Sequence, residues 1–254
     1  MRFSLLWSCL LALIAVGCTV APAPTPTPPP DPLKLVRDSM LNLRQKDTFR
    51  MLVERAGAPY FVETDLGRVI FRRAEAQYSA PDILGATVRL IAAGLPTNFD
   101  LFSRGDNQWY RNDILTAGRW LNAPYTPGFN PETLIASDAG FQAAVAALVD
   151  LAYVGEETLE DGAPVYHLKA TAEGAGVTAL LAGLVGMTGL VNMDIYIHRE
   201  LLIPVRFIIE QPDTVTEDEP EPTVWTIDIH SINEPMTLDD PEATAEATTP
   251  EAVG

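Results

Sequence analysis

The chain has 254 residues, of which 47% are hydrophobic, and a formal charge of −17. That length supports one large domain or two small ones. A charge so negative opposes binding to nucleic acid, whose phosphates would repel it, and opposes electrostatic adhesion to anionic lipid headgroups.

The first element is an export signal. Met1-Arg2 precedes an apolar run from Phe3 to Val16, long enough for a secretory signal and too short to span a bilayer. The run ends in Ala15-Val16-Gly17-Cys18. Small residues at 15 and 17 let a lipoprotein signal peptidase close on the backbone, and the Cys18 thiol would accept a diacylglyceryl group. The expected layout is therefore a signal peptide over residues 1–17 and a lipid anchor on Cys18, which is also the only cysteine outside the signal. Ordinary secretion and an uncleaved anchor are the alternatives. Either way the domain has no internal disulfide and must stand on its core. Residues 18–32 contain a Pro-rich run that favours extended polyproline at about 3.1 Å per residue, a spacer of roughly 40 Å.

Leu33, Val36, Met40 and Leu43 recur at helical spacing and predict an amphipathic helix at the start of a domain spanning 33–238. Phe49, Met51 and Val53 alternate with polar neighbours, and further strands are predicted over 68–78, 87–92, 99–104 and around Trp109. An alanine-rich stretch, 131–149, places Leu134, Phe141, Val145 and Leu148 at helical intervals, with Ser137 and Asp138 as caps. Strands return over 152–159 and 165–171 around an Asp161-Gly162 turn. In the last three strands, Met193, Ile195 and Ile197 share a face, as do Ile203, Val205, Phe207 and Ile209, and Trp225, Ile227 and Ile229. Asp194, Arg206 and Asp228 point the other way, which predicts one wet side. The acidic, Pro-rich connection 211–223 reads as a solvated loop, and residues 239–254 as an acidic disordered tail.

From Gly174 to Met193 only Asp194 beyond the end breaks a run without any ionisable side chain. Its length could span a membrane, but five glycines lower helix propensity and strands of one sheet appear on both sides. Two readings remain, a buried helical cover for the sheet or a loose cover of small residues that leaves room for an apolar ligand. Trp109, Trp120 and Trp225 are either core or cavity lining, core being the commoner use of large aromatics.

Helix, antiparallel meander, helical cover and three closing strands carry a resemblance. With Asp161-Gly162-Ala163-Pro164-Val165-Tyr166-His167-Leu168, Leu202-Ile203-Pro204-Val205-Arg206 and Ile229-His230-Ser231-Ile232-Asn233-Glu234-Pro235, the chain resembles the LppX/LprA/LprF/LprG family of envelope lipoproteins. That resemblance implies an α+β fold, a strongly curved antiparallel LolA-like half-barrel with helices covering its concave face around a hydrophobic cavity. It further implies a membrane-tethered, non-enzymatic carrier of acylated lipid or glycolipid, monomeric, extracytoplasmic, and served by an envelope transporter or acceptor protein. No cofactor is expected beyond the covalent lipid on Cys18.

Ligand contacts are expected from the cover at Val177, Leu180, Leu181, Leu184, Val185, Met187 and Leu190, and from the inner sheet face at Ile195, Ile197, Val205, Phe207, Trp225 and Ile227. No metal is expected, because His167, His198 and His230 are far apart in sequence and read as ordinary surface histidines. No Gly-x-Ser-x-Gly elbow or phosphate-binding glycine loop occurs. Glu156 and Glu157 are adjacent, so on a strand they face opposite ways and cannot act on one bond. The second reading is a docking or structural lipoprotein with a filled core. A third, an enzyme acting on envelope lipid, would need a polar cluster in the interior that the sequence does not display.

Overall fold

The computed structural model describes residues 28–64, 67–126, 128–181 and 185–243. The expected signal peptide, Cys18, most of the expected spacer, Leu184 and residues 244–254 of the expected tail lie outside the described residues. Helix α1 (Pro32–Arg44) starts where the Asp31 carboxylate accepts from the amides of Leu33 and Lys34 at 2.9 and 3.2 Å, with Pro32 in the first turn. Both features satisfy or remove amides that a helix start leaves unpaired. Val36, Met40 and Leu43 are buried as the spacing predicts, while Leu33 is left exposed.

A single antiparallel sheet of twelve strands follows: β1 (Thr48–Ala56), β2 (Phe61–Thr64), β3 (Gly67–Ser79), β4 (Ile83–Ala92), β5 (Leu95–Arg104), β6 (Asn107–Arg111), β7 (Leu121–Asn122), β8 (Leu148–Thr158), β9 (Pro164–Glu173), β10 (Leu190–His198), β11 (Pro204–Gln211) and β12 (Thr223–His230). The strand order is β7-β6-β5-β4-β3-β1-β12-β11-β10-β9-β8, with β2 attached to β3. Neighbours along the chain are mostly neighbours in the sheet. The exception is β1, which lies between β3 and the last strand and so joins two meanders into one wall. The sheet is open at β7 and β8. It forms the curved half-barrel expected of the chain, with α1, α2 (Gly140–Ala146) and α3 (Gly174–Val177) packed on its concave side.

The 131–149 stretch is less helical than its composition predicts. A short 3-10 turn, Pro131–Leu134, is capped by Asn130, and α2 begins at Gly140 with no side-chain cap, so Ser137 and Asp138 do not serve as caps. The acidic connection 211–223 is also less free than its charge suggests. Its exposed middle is bracketed by a docked end, where Ala58 donates its amide to Glu221 and the Thr223 hydroxyl donates to the Ala58 carbonyl. Gly57, at φ +68°, makes this possible, since a Cβ there would lie 1.9 Å from the Pro222 carbonyl oxygen.

The supposed tail is corrected over its first residues. The chain after β12 runs back across the outer face of β4, β5 and β6 as a strap. Leu238 lies against Gly85, and the acids pair with arginines: Asp239 with Arg111 at 2.7 Å, Glu242 with Arg104 at 2.6 Å, and Asp240 with Arg104. Composition predicts solvation because it cannot register that Arg104 and Arg111 flank the outward-facing Phe102 and Trp109. Burial pushes the Asp240 carboxyl up, but its hydrogen bond to Arg104, the Glu242 and Ala243 amides and the Arg104 charge together hold it below its ordinary 3.8. A carboxyl depressed in the folded state stabilises above its unfolded pKa and loses that contribution as pH falls through the folded one. The strap is therefore expected to loosen below about pH 4, read as accelerated amide exchange at 238–243 before the sheet unfolds. Unchanged protection down to global unfolding would contradict this.

Candidate functional site

The concave face is built by alternation. On β10 to β12, Met193, Ile195, Ile197, Phe207, Ile209, Trp225, Ile227 and Ile229 are all buried, and Phe49, Met51 and Val53 of the neighbouring β1 continue the same apolar face. Ring contacts join the wall strands and tie them to the cover: Phe49 stacks 4.8 Å from Tyr78, and Phe141 of α2 lies 6.4 Å from both Phe49 and Phe207. Trp225 is packed against Tyr60 and Phe71 at 5.2 Å each, and its Nε1 donates to Gln211 Oε1 at 2.8 Å. This is a ring used as wall, with its one polar atom satisfied.

The uncharged stretch is the connection between β9 and β10. It contains no spanning helix; α3 and the 3-10 turn Thr178–Leu181 are four residues each, and among the described residues no helix is long and apolar enough to cross a membrane. The loop closes on itself where the Gly174 amide donates to the Gly189 carbonyl at 2.7 Å, the form of a compact surface loop with adjacent ends. Gly174 is required there, because a Cβ would come within 2.9 Å of the Met187 and Thr188 backbone. Within it Val177, Leu180, Leu181, Val185 and Met187 are buried against the interior. Among the described residues, few side-chain hydrogen bonds tie the loop to itself or to the wall. Thr178 Oγ1 accepts from the Met187 amide at 3.3 Å, and Tyr60 Oη accepts from the Gly186 amide at 3.0 Å.

Two predicted contacts are corrected. Leu190 is 60% exposed, because it is the first residue of β10, opposite Glu173, and alternation sends it outward while Val191 turns in. Val205 is only partly buried. The ladder slips between Tyr196 and Ile197, which pair with Arg206 and Pro204, so Val205 is the unpaired residue of a bulge and leaves the face of Phe207. A uniform period of two cannot register such an insertion. Residues 58–60 were missed altogether; Tyr60 is brought to the loop by the β1–β3 excursion, with nothing in its spacing to single it out.

His167 is not an ordinary surface histidine. It is buried on the outer face, stacked on Tyr196 at 4.6 Å, with Nδ1 2.6 Å from Glu157 and Nε2 2.5 Å from Asp194. The two carboxylates lie on opposite sides of the ring, so the group staples β8, β9 and β10 together, and it is on the far side of the sheet from the interior. Glu156, by contrast, pairs with Arg199 at 2.8 Å, so the adjacent glutamates do face apart. Among the described residues no His, Cys, Asp and Glu cluster could hold a metal.

A groove of about 420 Å³ runs along the seam between α1 and α2, bordered by Leu33, Arg37, Gln142, Val145 and Leu148. The chain that leads from Cys18 joins the domain at this groove, since α1 begins at Pro32.

No protein-family model matches the chain, and no curated protein matches it. Solved structures do. Lipoprotein LppX from Mycobacterium tuberculosis is 18% identical, with 82% of this chain and 97% of that chain aligned at a TM-score of 0.54. LprF from Mycobacterium bovis is 13% identical, with 85% of this chain and 99% of that chain aligned at a TM-score of 0.58.

Proposed function

We propose that this chain, which has the fold of the lipoproteins LppX and LprF, is an envelope lipoprotein held by Cys18 that carries acylated lipid in its half-barrel. The carrying observation is the apolar interior between sheet and cover, closed at one end by a glycine-rich loop that, among the described residues, has few polar ties. Two buried polar side chains beside it are engaged, Ser39 donating to the Val36 carbonyl and Gln211 accepting from Trp225, while on α2 the Gln142 Nε2 is buried without a partner. Such a lining holds methylenes and offers no group poised for chemistry, which supports a non-enzymatic role. Each methylene buried there contributes roughly 0.8 kcal/mol, so two or three acyl chains bind tightly without polar contacts.

Loading requires the cover to move, because the wall and Val177, Leu180, Leu181, Val185 and Met187 of the loop now bury each other. Val177, Leu180, Leu181, Val185, Met187 and, outside the described residues, Leu184 would contact the chains on the cover side; Ile195, Ile197, Phe207, Trp225 and Ile227 would do so on the wall. The seam between α1 and α2, next to the tethered end, is the proposed portal. An envelope transporter or acceptor is the proposed partner for loading and release.

The test is to express a fragment beginning ahead of Asp31, which α1 needs as its cap, in a lipid-containing host and extract it for mass spectrometry. Stoichiometric lipid is expected. Tyr60→Phe removes the hydroxyl that holds Gly186 and is expected to lower stability by about 1 kcal/mol while speeding exchange of a bound fluorescent fatty acid. The mutual burial of wall and cover favours a second reading, a tethered docking module with a filled core. It predicts no extracted lipid and no effect of Tyr60→Phe on fatty-acid exchange, and that pair of results would exclude the carrier.

A further inference from the structure

The outer face of the sheet carries a row of side chains set by register across four strands. Thr226 of β12 lies opposite Glu54 of β1, Glu54 opposite Arg73 of β3, and Arg73 opposite Arg89 of β4. Like charges directly opposite on neighbouring strands repel. This chain has 34 acidic residues and only 17 basic ones, so an arginine facing an arginine is not a matter of composition. The β3–β4 ladder also slips between Phe71 and Arg73, leaving Arg72 as the extra residue of a bulge. Bulges re-aim the side chain they insert.

Arg55, Arg72, Arg73 and Arg89 thereby line one groove of about 590 Å³, with Glu54 as its one acidic residue. Arg73 is paired with Glu75 at 2.9 Å and Glu54 at 3.8 Å, yet its Nε is buried without a hydrogen-bond partner. Arg55 donates to the carbonyls of Phe71, Gly57 and Ala58, which fixes its position, and among the described residues no carboxylate is within ion-pair range of it. Burial, and after it the Arg72 charge, lowers its pKa, with Glu219 acting in the opposite direction. Among the described residues neither Arg72 nor Arg89 has a carboxylate within ion-pair range.

We propose that this groove binds a phosphate ester group. Guanidinium forks match the oxygens of a phosphate two at a time, and several arginines converging on one concavity fit an anion with more than two acceptor oxygens. The groove is also far larger than a bare phosphate, which leaves space for the group that the phosphate esterifies. Its charged lining at the ends of β1 and β4, bordered by Ile91 and Pro96, sets it apart from the apolar interior. The ester has two sources, a phosphorylated lipid headgroup or a soluble phosphate; the first rests on the carrier reading and the second does not.

The experiment is calorimetric titration of the purified protein, and of the Arg72→Gln/Arg89→Gln double variant, with inorganic phosphate, dioctanoyl phosphatidic acid and uncharged dioctanoylglycerol. Lys169→Gln/Arg44→Gln, remote from the groove and likewise removing two positive charges, is the control for net charge. Phosphatidic acid is expected to bind roughly tenfold or more tighter than dioctanoylglycerol, the difference vanishing in the double variant and persisting in the control. Binding of inorganic phosphate alone, lost in the double variant, would support the groove with a soluble ligand while counting against the carrier. Equal affinity for the two lipids with no phosphate binding, or phosphate affinity untouched by the double variant, overturns the proposal even if lipid is carried.

Discussion

Trp225→Ala is expected to destabilise the protein by about 4 kcal/mol, near the upper end for removal of a large buried ring. The ring is fully buried and bridges Tyr60 and Phe71, so its removal leaves a cavity between the wall and the residue that holds the cover loop. It also leaves Gln211 Oε1 without its donor in a buried setting, which by itself costs about 1–3 kcal/mol. Trp225→Phe separates the two effects, because it keeps most of the packing and deletes only the donor. Denaturant unfolding of both variants, with Gln211→Leu added to Trp225→Phe, would measure them. A loss below about 1 kcal/mol for Trp225→Ala would mean that the ring is not part of the wall.

The second large effect is expected on the cover. Gly140 sits at φ +52°, and a Cβ there would lie 2.2 Å from the carbonyl oxygens of both Thr133 and Leu134. Neither neighbour is a flexible side chain, so Gly140→Ala must shift the 131–134 turn or α2 itself. Left-handed backbone costs an alanine about 1–2 kcal/mol, and overpacking about 1–3 more, so roughly 3 kcal/mol is lost in total. Displacing α2 would also break the tilted contact of Phe141 with Phe49 and its stacking on Phe207. Gly105→Ala is the matched control, since its φ is +54° and its nearest atom is Asp82 Oδ2 at 3.4 Å. It should show the backbone penalty alone. Equal thermal shifts for the two variants would remove the argument from the close approach.

The pair of variants also bears on function. Trp225 stabilises the wall beside Tyr60, and Gly140 stabilises the helical side of the cover, so a carrier should lose retained lipid in both, whereas a filled docking module loses only stability. Extracting each variant in parallel with the native protein makes that comparison direct.

Much of the architecture was legible from periodicity. Val36, Met40 and Leu43 repeat at the helical period, and Phe49, Met51, Val53, Ile195, Ile197, Phe207, Trp225 and Ile227 alternate; each is buried where its pattern puts it. A regular pattern carries its own face. Deviations from regularity were not legible. The bulges at Val205 and Arg72 shift a face by one residue, the first turn outward at Leu190 depends on where β10 begins, and α2 is held by a packing contact at Gly140 instead of a cap.

By itself the sequence determined an alternating sheet with a helical start and an uncharged segment of about the right length to cover it, because each of these is local in the chain. Only the tertiary structure decided that β1 joins the two meanders, that Tyr60 meets Gly186, that the strap acids meet Arg104 and Arg111, and that four arginines share one groove. Those contacts bring together residues far apart in sequence. They are set by strand register and by which side chains the curvature brings within reach, and neither quantity is written in any short stretch of the chain.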